Sequence, residues 1–363
     1  MIRWLLATAL FLSAAAVGSA QDLLSEVPST PEQDSLIAIG IRWHDRKDFD
    51  QAIEFYQKAL QKNPANTRAL YELAFSHYAQ GELEEALQTA MEGARYNSAI
   101  LPELYMIIAS VYDDQEASEQ AIETYHKAIA ISPKFFLLHF NLALALTRAE
   151  QGREAEASLQ EALRLNPFHP SSHLLLAQHW VARNLRVPAL MAYTHFLILE
   201  GGTQRAQDAA AVVVEILEGG TDKQSSKEKN VINLSFSSDT SEGNFTMQET
   251  TLSLFAATNR IVESALVDSL GAYRTNLDQY IQQLRSAVRL ITDATQKNTP
   301  AVSFTQQFYL PWYSEIVRLN HLDVFCHLVA ANCMIPGAES WLTEHQEEKK
   351  AFTSWIKEYR TPK

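Results

Sequence analysis

The chain has little glycine and proline for its length. Of its 363 residues, 12 are glycine and 12 are proline. So few turn-forming residues argue against a low-complexity chain and against a loop-rich β protein. Alanine, leucine, glutamate and glutamine are abundant instead, and these residues favour helix. Hydrophobic residues make up 47% of the chain, which is enough for a sizeable core, and the length suggests about two domains.

Basic residues are scarce in the first part of the chain. Residues 21–220 hold 27 acidic and 15 basic residues, whereas residues 221–363 hold 16 and 14. The net charge of −13 therefore belongs almost wholly to the first region. Nucleic acid and acidic lipid surfaces are poor candidates for partners, because phosphate binding needs clustered lysine and arginine.

Long hydrophobic runs are absent except at the start. Residues 1–20, MIRWLLATALFLSAAAVGSA, have a basic residue at Arg3, an apolar run, and small residues at the end. This pattern predicts a cleaved signal peptide with the mature chain beginning near Gln21. The alternative is an uncleaved anchor, but the run is shorter than the ~20 residues needed to span a bilayer. We therefore expect a periplasmic or secreted protein with no membrane span after signal removal.

One stretch, DFDQAIEFYQKALQKNPAN, recurs along the chain. Aligning the chain on itself brings five alanines into register at spacings of 34, 35, 34 and 34 residues: Ala52, Ala86, Ala121, Ala155 and Ala189. A period of this length is typical of a solenoid built from pairs of helices. The recurring stretch is then the second helix of each pair.

The repeated positions resemble the tetratricopeptide repeat. In the first unit the small, aromatic, alanine and closing proline positions are filled by Gly40, Trp43, Ala52, Tyr56, Ala59 and Pro64. Five such repeats begin at about residues 33, 67, 102, 136 and 170 and cover 33–203. The second repeat matches least well. The resemblance implies an all-α superhelical solenoid that acts as a protein–protein interaction scaffold, and it implies no enzymatic activity.

The rest of the chain carries no such period. An apolar stripe over 203–218 predicts a helix that covers the last repeat, completing a solenoid over 21–218. Residues 219–250 read as a polar linker, and the runs Val231–Phe236 and Asn244–Gln248 fit a short β-hairpin within about 231–249. Helical patterning returns over 251–363, which predicts a small, mainly helical C-terminal domain packed against the solenoid.

No residues form a recognisable catalytic, metal-binding or cofactor-binding motif. His169, His173 and His179 lie close in sequence, but His173 occupies a repeat position that normally packs. The chain has no H-E-x-x-H, no phosphate-binding glycine-rich loop and no nucleophile elbow. Cys326 and Cys333 are seven residues apart, and the sequence leaves open whether they form a disulfide or remain free thiols.

The first helix of each tetratricopeptide repeat lines the concave face of the solenoid, and here that lining is mostly apolar. The predicted groove residues are Ile37, Ile41, Tyr71, Phe75, Tyr78, Met106, Phe140, Leu144 and Leu174. An acidic rim is expected from Asp34, Asp45, Glu103, Asp113 and Asp114. The lysines and arginines that would clamp a terminal carboxylate are missing. The groove therefore fits an apolar or basic peptide segment or partner protein, unless the chain's own C-terminal helices fill it.

Two functions remain at this stage. The first is an exported scaffold that binds a protein or peptide partner. The second is an enzyme or small-ligand-binding protein with a site where the C-terminal domain meets the groove. A pocket with converging polar groups and shifted pKa values would favour the second function.

Overall fold

The computed structural model describes residues 23–217, 239–254, 277–293 and 303–359. The expected signal peptide at 1–20 lies outside these residues, as does most of the predicted linker. The chain forms two compact units, Met1–Ala128 and Ile129–Lys363. Both are built from consecutive packed pairs of helices, so the predicted all-α repeat architecture is confirmed.

The first unit contains two short strands and the first three repeats. Its elements are β1 (Leu24–Ser25), α1 (Pro31–Asp45), α2 (Phe49–Lys62), α3 (Thr67–Gln80), α4 (Leu83–Gly93), β2 (Tyr96–Asn97), α5 (Leu101–Asp114) and most of α6 (Ser118–Ile131). The last residues of α6 belong to the second unit.

Local sequence explains where the first pair of helices begins and ends. Thr30 and Gln33 form a reciprocal capping box at the start of α1, and Pro31 takes a position where its missing N–H is not needed. The side chain of Asp48 caps α2 by accepting a hydrogen bond from the Gln51 N–H. Helix α2 ends at Lys62, because Pro64 disfavours helical backbone at Asn63, which is extended.

The alanine and glycine positions of the repeats are where the helices approach one another. Each of the five register alanines is fully buried. At Gly40 a Cβ atom would lie 2.4 Å from the ring of Tyr56, far closer than packed atoms can come. The small residue therefore lets α1 pack directly onto α2.

An extended N-terminal segment adds to the first unit, and the sequence did not predict it. Strand β1 pairs in parallel with β2, which follows α4. The Leu24 N–H donates to the Arg95 carbonyl at 2.8 Å, and the Asn63 amide donates to the Val27 carbonyl at 3.3 Å. The Asn66 amide donates to the Ser29 hydroxyl at 3.0 Å. The N-terminal segment therefore contacts the loop between α2 and α3 and the strand β2 that follows α4.

The second unit contains the last two repeats and the C-terminal residues. Its elements are α7 (Phe136–Arg148), α8 (Gly152–Leu165), α9 (Pro170–Ala182), α10 (Arg186–Leu199), α11 (Gln204–Leu217), α12 (helical over 246–254), α13 (Leu277–Asp293), a π-helical turn (Thr305–Tyr309), α14 (Leu310–Arg318), α15 (Leu322–Asn332), α16 (Ala338–Glu344) and α17 (Gln346–Glu358).

The C-terminal helices pack against the last repeat. Helix α15 contacts α10, α11 and α13, and the π-helical turn also contacts α10. Helix α10 is therefore buried on all sides from Arg186 to Leu197. The Asn332 amide donates to the Leu197 carbonyl at 2.6 Å. The predicted apolar stripe of α13 faces this core, where Tyr280 and Leu284 are buried.

The predicted second arm of the hairpin, Asn244–Gln248, is wrong. Backbone from residue 246 is helical, and the Asn244 side chain accepts a hydrogen bond from the Thr246 N–H at 3.3 Å. Phe245 and Leu252 are buried, seven positions apart, which matches a helical stripe rather than a strand. The first arm, Val231–Phe236, lies outside the described residues.

The cysteines are free thiols, which resolves the alternative left open by the sequence. Cys326 is buried within α15, whereas Cys333 caps the end of the same helix. The Tyr280 hydroxyl lies 3.1 Å from Cys333 Sγ. None of the helices in the described part of the chain is both long and apolar enough to cross a bilayer.

Candidate partner-binding face

In the first unit, the first helices of successive repeats lie side by side. Helix α3 contacts both α1 and α5. We call their solvent side the first-helix face, and it carries Ile41, His44, Tyr71, Phe75, Tyr78 and Met106. Phe75 is 38% exposed, and the other five side chains are half-buried. Five of the predicted groove residues of this unit therefore reach its surface.

Ile37 is not part of this face, contrary to the prediction. Its side chain is fully buried in the core formed with Ala52, Tyr56 and Leu73. Asp34 and Ala38, which lie near Ile37 on α1, are exposed to solvent, whereas Ile37 faces the core. A one-residue step rotates a helical side chain by about 100°, which is enough to move it from surface to core.

Three rings form a row on the first-helix face. The His44 ring stacks on the Phe75 ring, with centroids 4.7 Å apart and planes 21° apart. The Phe75 and Tyr71 rings are nearly parallel, at 6° and 6.1 Å. His44 Nδ1 lies 2.7 Å from the Ser76 hydroxyl, and this hydrogen bond fixes the first ring of the row. We call His44, Phe75 and Tyr71 the aromatic row.

Carboxylates surround the aromatic row. Burial, together with the charges of Glu72 and Glu103, raises the pKa of Tyr71 to about 12. Burial also raises the pKa of Glu72, and the charge of Asp45 adds to this effect against the opposing charge of Arg68. Glu103 Oε2 is buried and has no hydrogen-bond partner in the part of the chain that the structure describes. The row therefore sits in a negative field.

The predicted acidic rim is present in part. Asp34, Asp45 and Asp114 are exposed, and Asp114 accepts a hydrogen bond from the Tyr78 hydroxyl at 2.6 Å. Asp113, by contrast, is buried. Glu72 belongs to the acidic group as well, although the groove positions of the repeat did not point to it.

Most of these carboxylates lack an ion pair among the residues that the structure describes, although the charge of Arg68 acts on Glu72. Within residues 23–128, Asp34, Asp45, Glu72, Glu103 and Asp114 form no ion pair with lysine or arginine. The same stretch holds 18 acidic and 8 basic residues. A cation that approached the first-helix face would therefore meet unpaired negative charge.

The remaining predicted groove residues belong to the second unit, where each is half-buried: Phe140, Leu144 and Leu174. The His169 ring meets the Phe140 ring edge-on, with centroids 4.7 Å apart. Gln178 and Val181 on α9 are exposed. C-terminal residues contact α9 as well as α10 and α11, through Tyr309 beside His173 and Trp180. Filling of the groove by the chain's own C-terminal domain stays a prediction.

His173 is a packing residue, as its repeat position predicted. Its ring is fully buried, with Nε2 donating to the Pro167 carbonyl at 2.9 Å and Nδ1 accepting from the Tyr309 hydroxyl at 2.6 Å. Burial lowers the pKa of His173 to about 3, so the ring is neutral near pH 7. The His195 ring stacks on it at 4.3 Å. This buried group offers a substrate no access.

Groups of three or more side chains suited to holding a metal ion do not occur among the described residues. A cavity of about 10 Å³ lies beside Leu185, Phe245 and Glu249, which is room for about one water molecule.

Comparison with known families identifies the repeats. Three tetratricopeptide repeat profiles match residues 44–101, 102–135 and 140–185. Together these ranges span helices α2 to α9. The chain carries tetratricopeptide repeats over residues 44–135 and 140–185. Proteins of this fold are typically interaction scaffolds, so the coarse prediction of a protein–protein interaction scaffold is supported.

Two proteins named for tetratricopeptide repeats are similar in sequence to part of the chain. The tetratricopeptide repeat-containing protein YpiA of Bacillus subtilis is 27% identical over 161 residues, which are 41% of this chain and 37% of the relative. Mouse tetratricopeptide repeat protein 21A is 27% identical over 139 residues, covering 37% of this chain and 10% of that protein. The matched region spans well under two thirds of either relative.

One solved structure is similar to part of the chain. The structure of pilF from Pseudomonas aeruginosa covers 52% of this tetratricopeptide repeat chain, which in turn covers 85% of pilF. The two share 21% identity with a TM-score of 0.48.

Proposed function

We propose that this tetratricopeptide repeat protein is a scaffold that binds an apolar or basic peptide segment of a partner protein on the first-helix face of its first unit. The observation that carries the proposal is the exposed Phe75 ring within the aromatic row. A large ring held rigidly by stacking gives contact area at low entropic cost, which is why aromatic residues dominate binding hot spots.

The negative surroundings favour a basic segment over an acidic one. Unpaired carboxylates attract a segment carrying lysine or arginine and repel one carrying aspartate or glutamate. The apolar side chains Ile41 and Met106 extend the contact on either side of α3. The combination suits a segment in which basic and apolar residues are adjacent.

A phage-displayed library of random peptides tests this function. Selection on the protein should enrich peptides that carry lysine or arginine beside apolar residues. Phe75→Ala should weaken binding of a selected peptide by about 5- to 30-fold, since truncating an interface hot spot costs about 1–2 kcal/mol. Met91→Ala is the matched control, because Met91 is 50% exposed but lies on α4.

Enrichment of acidic peptides would contradict the proposal. So would selected peptides whose affinity is unchanged by Phe75→Ala and reduced by Met91→Ala. Circular dichroism of both variants should match that of the parent protein, because each substitution removes an exposed side chain.

We further propose that the protein is exported with cleavage of residues 1–20. The support is the sequence pattern described above. A cut near Ala20 would leave the contacts of Leu24, Val27 and Ser29 with the first repeats intact. N-terminal sequencing of the protein from the envelope fraction of its native cells should begin close to Gln21, whereas an intact Met1 in the cytoplasmic fraction would contradict export.

A further inference from the structure

The first-helix face combines an aromatic row with nearby carboxylates, and this combination favours an arginine side chain in the partner. Phe75 is 38% exposed within the aromatic row, and the charges of Glu72 and Glu103 act on its neighbour Tyr71. We propose that the partner segment presents an arginine, whose guanidinium lies on the Phe75 ring and faces Glu72 and Glu103. This inference rests on the proposed function and names the residue that the face recognises.

The carboxylates require a cation rather than an apolar side chain. Glu103 Oε2 is buried without a hydrogen-bond partner in the described chain, and Glu72 is shielded from water as well. An apolar ligand laid over them would remove more water from unpaired charges, which is unfavourable. A cationic ligand would offset these negative charges instead.

The histidine in the row does not oppose a cation. Burial lowers the pKa of His44, with the charge of Asp45 acting in the other direction. The His44 ring is therefore neutral near pH 7 and contributes a flat surface without positive charge. The only nearby cation acting on Glu72 is Arg68, which is exposed and makes no ion pair with it within residues 23–128.

The shape of the site favours arginine over lysine. A guanidinium is planar, so it can lie flat on an aromatic ring while its N–H groups reach carboxylate oxygens at its edge. It is also more weakly hydrated than an ammonium group, so it loses less on contact with Phe75 and Tyr71. Lysine would provide charge without the stacking surface.

The test is an NMR titration of the full-length protein with four small probes. They are the N-acetyl amides of arginine, lysine, citrulline and leucine, where citrulline keeps the shape of arginine without its charge. Arginine amide should shift the ring signals of Tyr71 and Phe75, and it should bind about three- to tenfold more tightly than citrulline amide.

Two variants separate the contributions of the ring and the carboxylates. Phe75→Leu keeps an apolar side chain but removes the ring, and it should weaken arginine amide about two- to fivefold. The double variant Glu72→Gln with Glu103→Gln keeps the side-chain shapes and should remove the preference for arginine over citrulline. Arg68→Gln should act in the opposite direction and strengthen binding, because it removes a competing cation.

Three outcomes of the titration would contradict recognition of an arginine. Equal affinity for lysine and arginine, stronger binding of leucine amide, or no shift of the Tyr71 and Phe75 signals with arginine amide overturns the inference. In all three cases the proposed function still stands if peptides selected from the library depend on Phe75. If they do not, the proposed function itself fails.

Discussion

Single small residues decide how closely the helices of a repeat can pack. Gly40 faces the ring of Tyr56, and the alanines that follow it in the pair are fully buried. Their side chains contribute little apolar area. Their role is to let larger neighbours, above all Tyr56, fill the space between α1 and α2.

Gly40→Ala should therefore destabilise the first unit despite the higher helix propensity of alanine. The added Cβ would lie 2.4 Å from a carbon of the Tyr56 ring, so the ring or the helix must shift. We expect a loss of about 1–3 kcal/mol in the free energy of unfolding, measured by urea denaturation.

Gly152→Ala is the control for this substitution. Its Cβ would meet the His179 ring at 3.6 Å, an ordinary contact, at the start of α8. Stability should stay the same or rise by a few tenths of a kcal/mol through helix propensity. Equal effects of the two substitutions would contradict the packing role of Gly40.

At the scale of elements, polar bonds within the second unit fix the C-terminal helices on the last repeat. The Tyr313 hydroxyl on α14 donates to the Met191 carbonyl at 2.8 Å and lies 2.5 Å from the Thr194 hydroxyl on α10. Both side chains are buried. Apolar contacts alone would allow α14 to shift along α10, whereas these hydrogen bonds specify one position of α14 on α10.

Tyr313→Phe should weaken the packing of α14 on α10, although it keeps the aromatic ring in place. The substitution removes a buried hydroxyl and leaves the Thr194 hydroxyl with one partner fewer. We expect a loss of about 1–2 kcal/mol in unfolding free energy. Hydrogen exchange of α14 should rise at the same time.

Tyr112→Phe provides the comparison. Tyr112 is half-buried on α5, and its hydroxyl makes no hydrogen bond within the described residues. Its loss should change the free energy of unfolding by less than about 0.5 kcal/mol. A Tyr313→Phe variant as stable as this control would show that the hydroxyl does not hold α14 in place.

At the scale of the whole molecule, the buried histidines link stability to pH. His173 and His195 stack on each other inside the second unit, and burial lowers the pKa of both, that of His173 to about 3. The neighbouring titratable groups are His169, whose charge acts on His173, and Tyr309. No carboxylate hydrogen-bonds to either ring among the described residues.

Stability should therefore fall in mild acid. Because the unfolded chain has ordinary histidine pKa values near 6.5, it binds more protons than the folded chain below that pH. The full stability is present above about pH 6.5 and is lost as the pH falls towards 3. Each of the two imidazoles should contribute up to about 1.4 kcal/mol per pH unit.

Urea unfolding followed by tryptophan fluorescence at about pH 7.5 and about pH 5 measures this dependence. His195→Phe should reduce the pH dependence, because it keeps a ring between His173 and Trp312 but cannot take up a proton. An unchanged pH dependence in this variant would assign the acid sensitivity to other groups.

The sequence by itself determined the repeat architecture. The positions that define a repeat recur within about 34 residues, and each acts on its own pair of helices, so a single chain read along its length is enough to find them. The aromatic residues of the first-helix face followed from the same frame. Helical periodicity alone brings Tyr71, Phe75 and Tyr78 to one side of α3, and their role in binding a partner stays a prediction.

Only the tertiary structure decided features that join distant parts of the chain. His173 and Tyr309 are 136 positions apart, and no local sequence pattern in either segment predicts their hydrogen bond. The pairing of Leu24 with Tyr96 likewise depends on what the neighbouring elements bury. So does the helix over 246–254, part of which was predicted as the strand Asn244–Gln248. Ile37 went to the core for the same reason. Periodicity gives the faces of a helix, but the packed neighbours determine which face meets water.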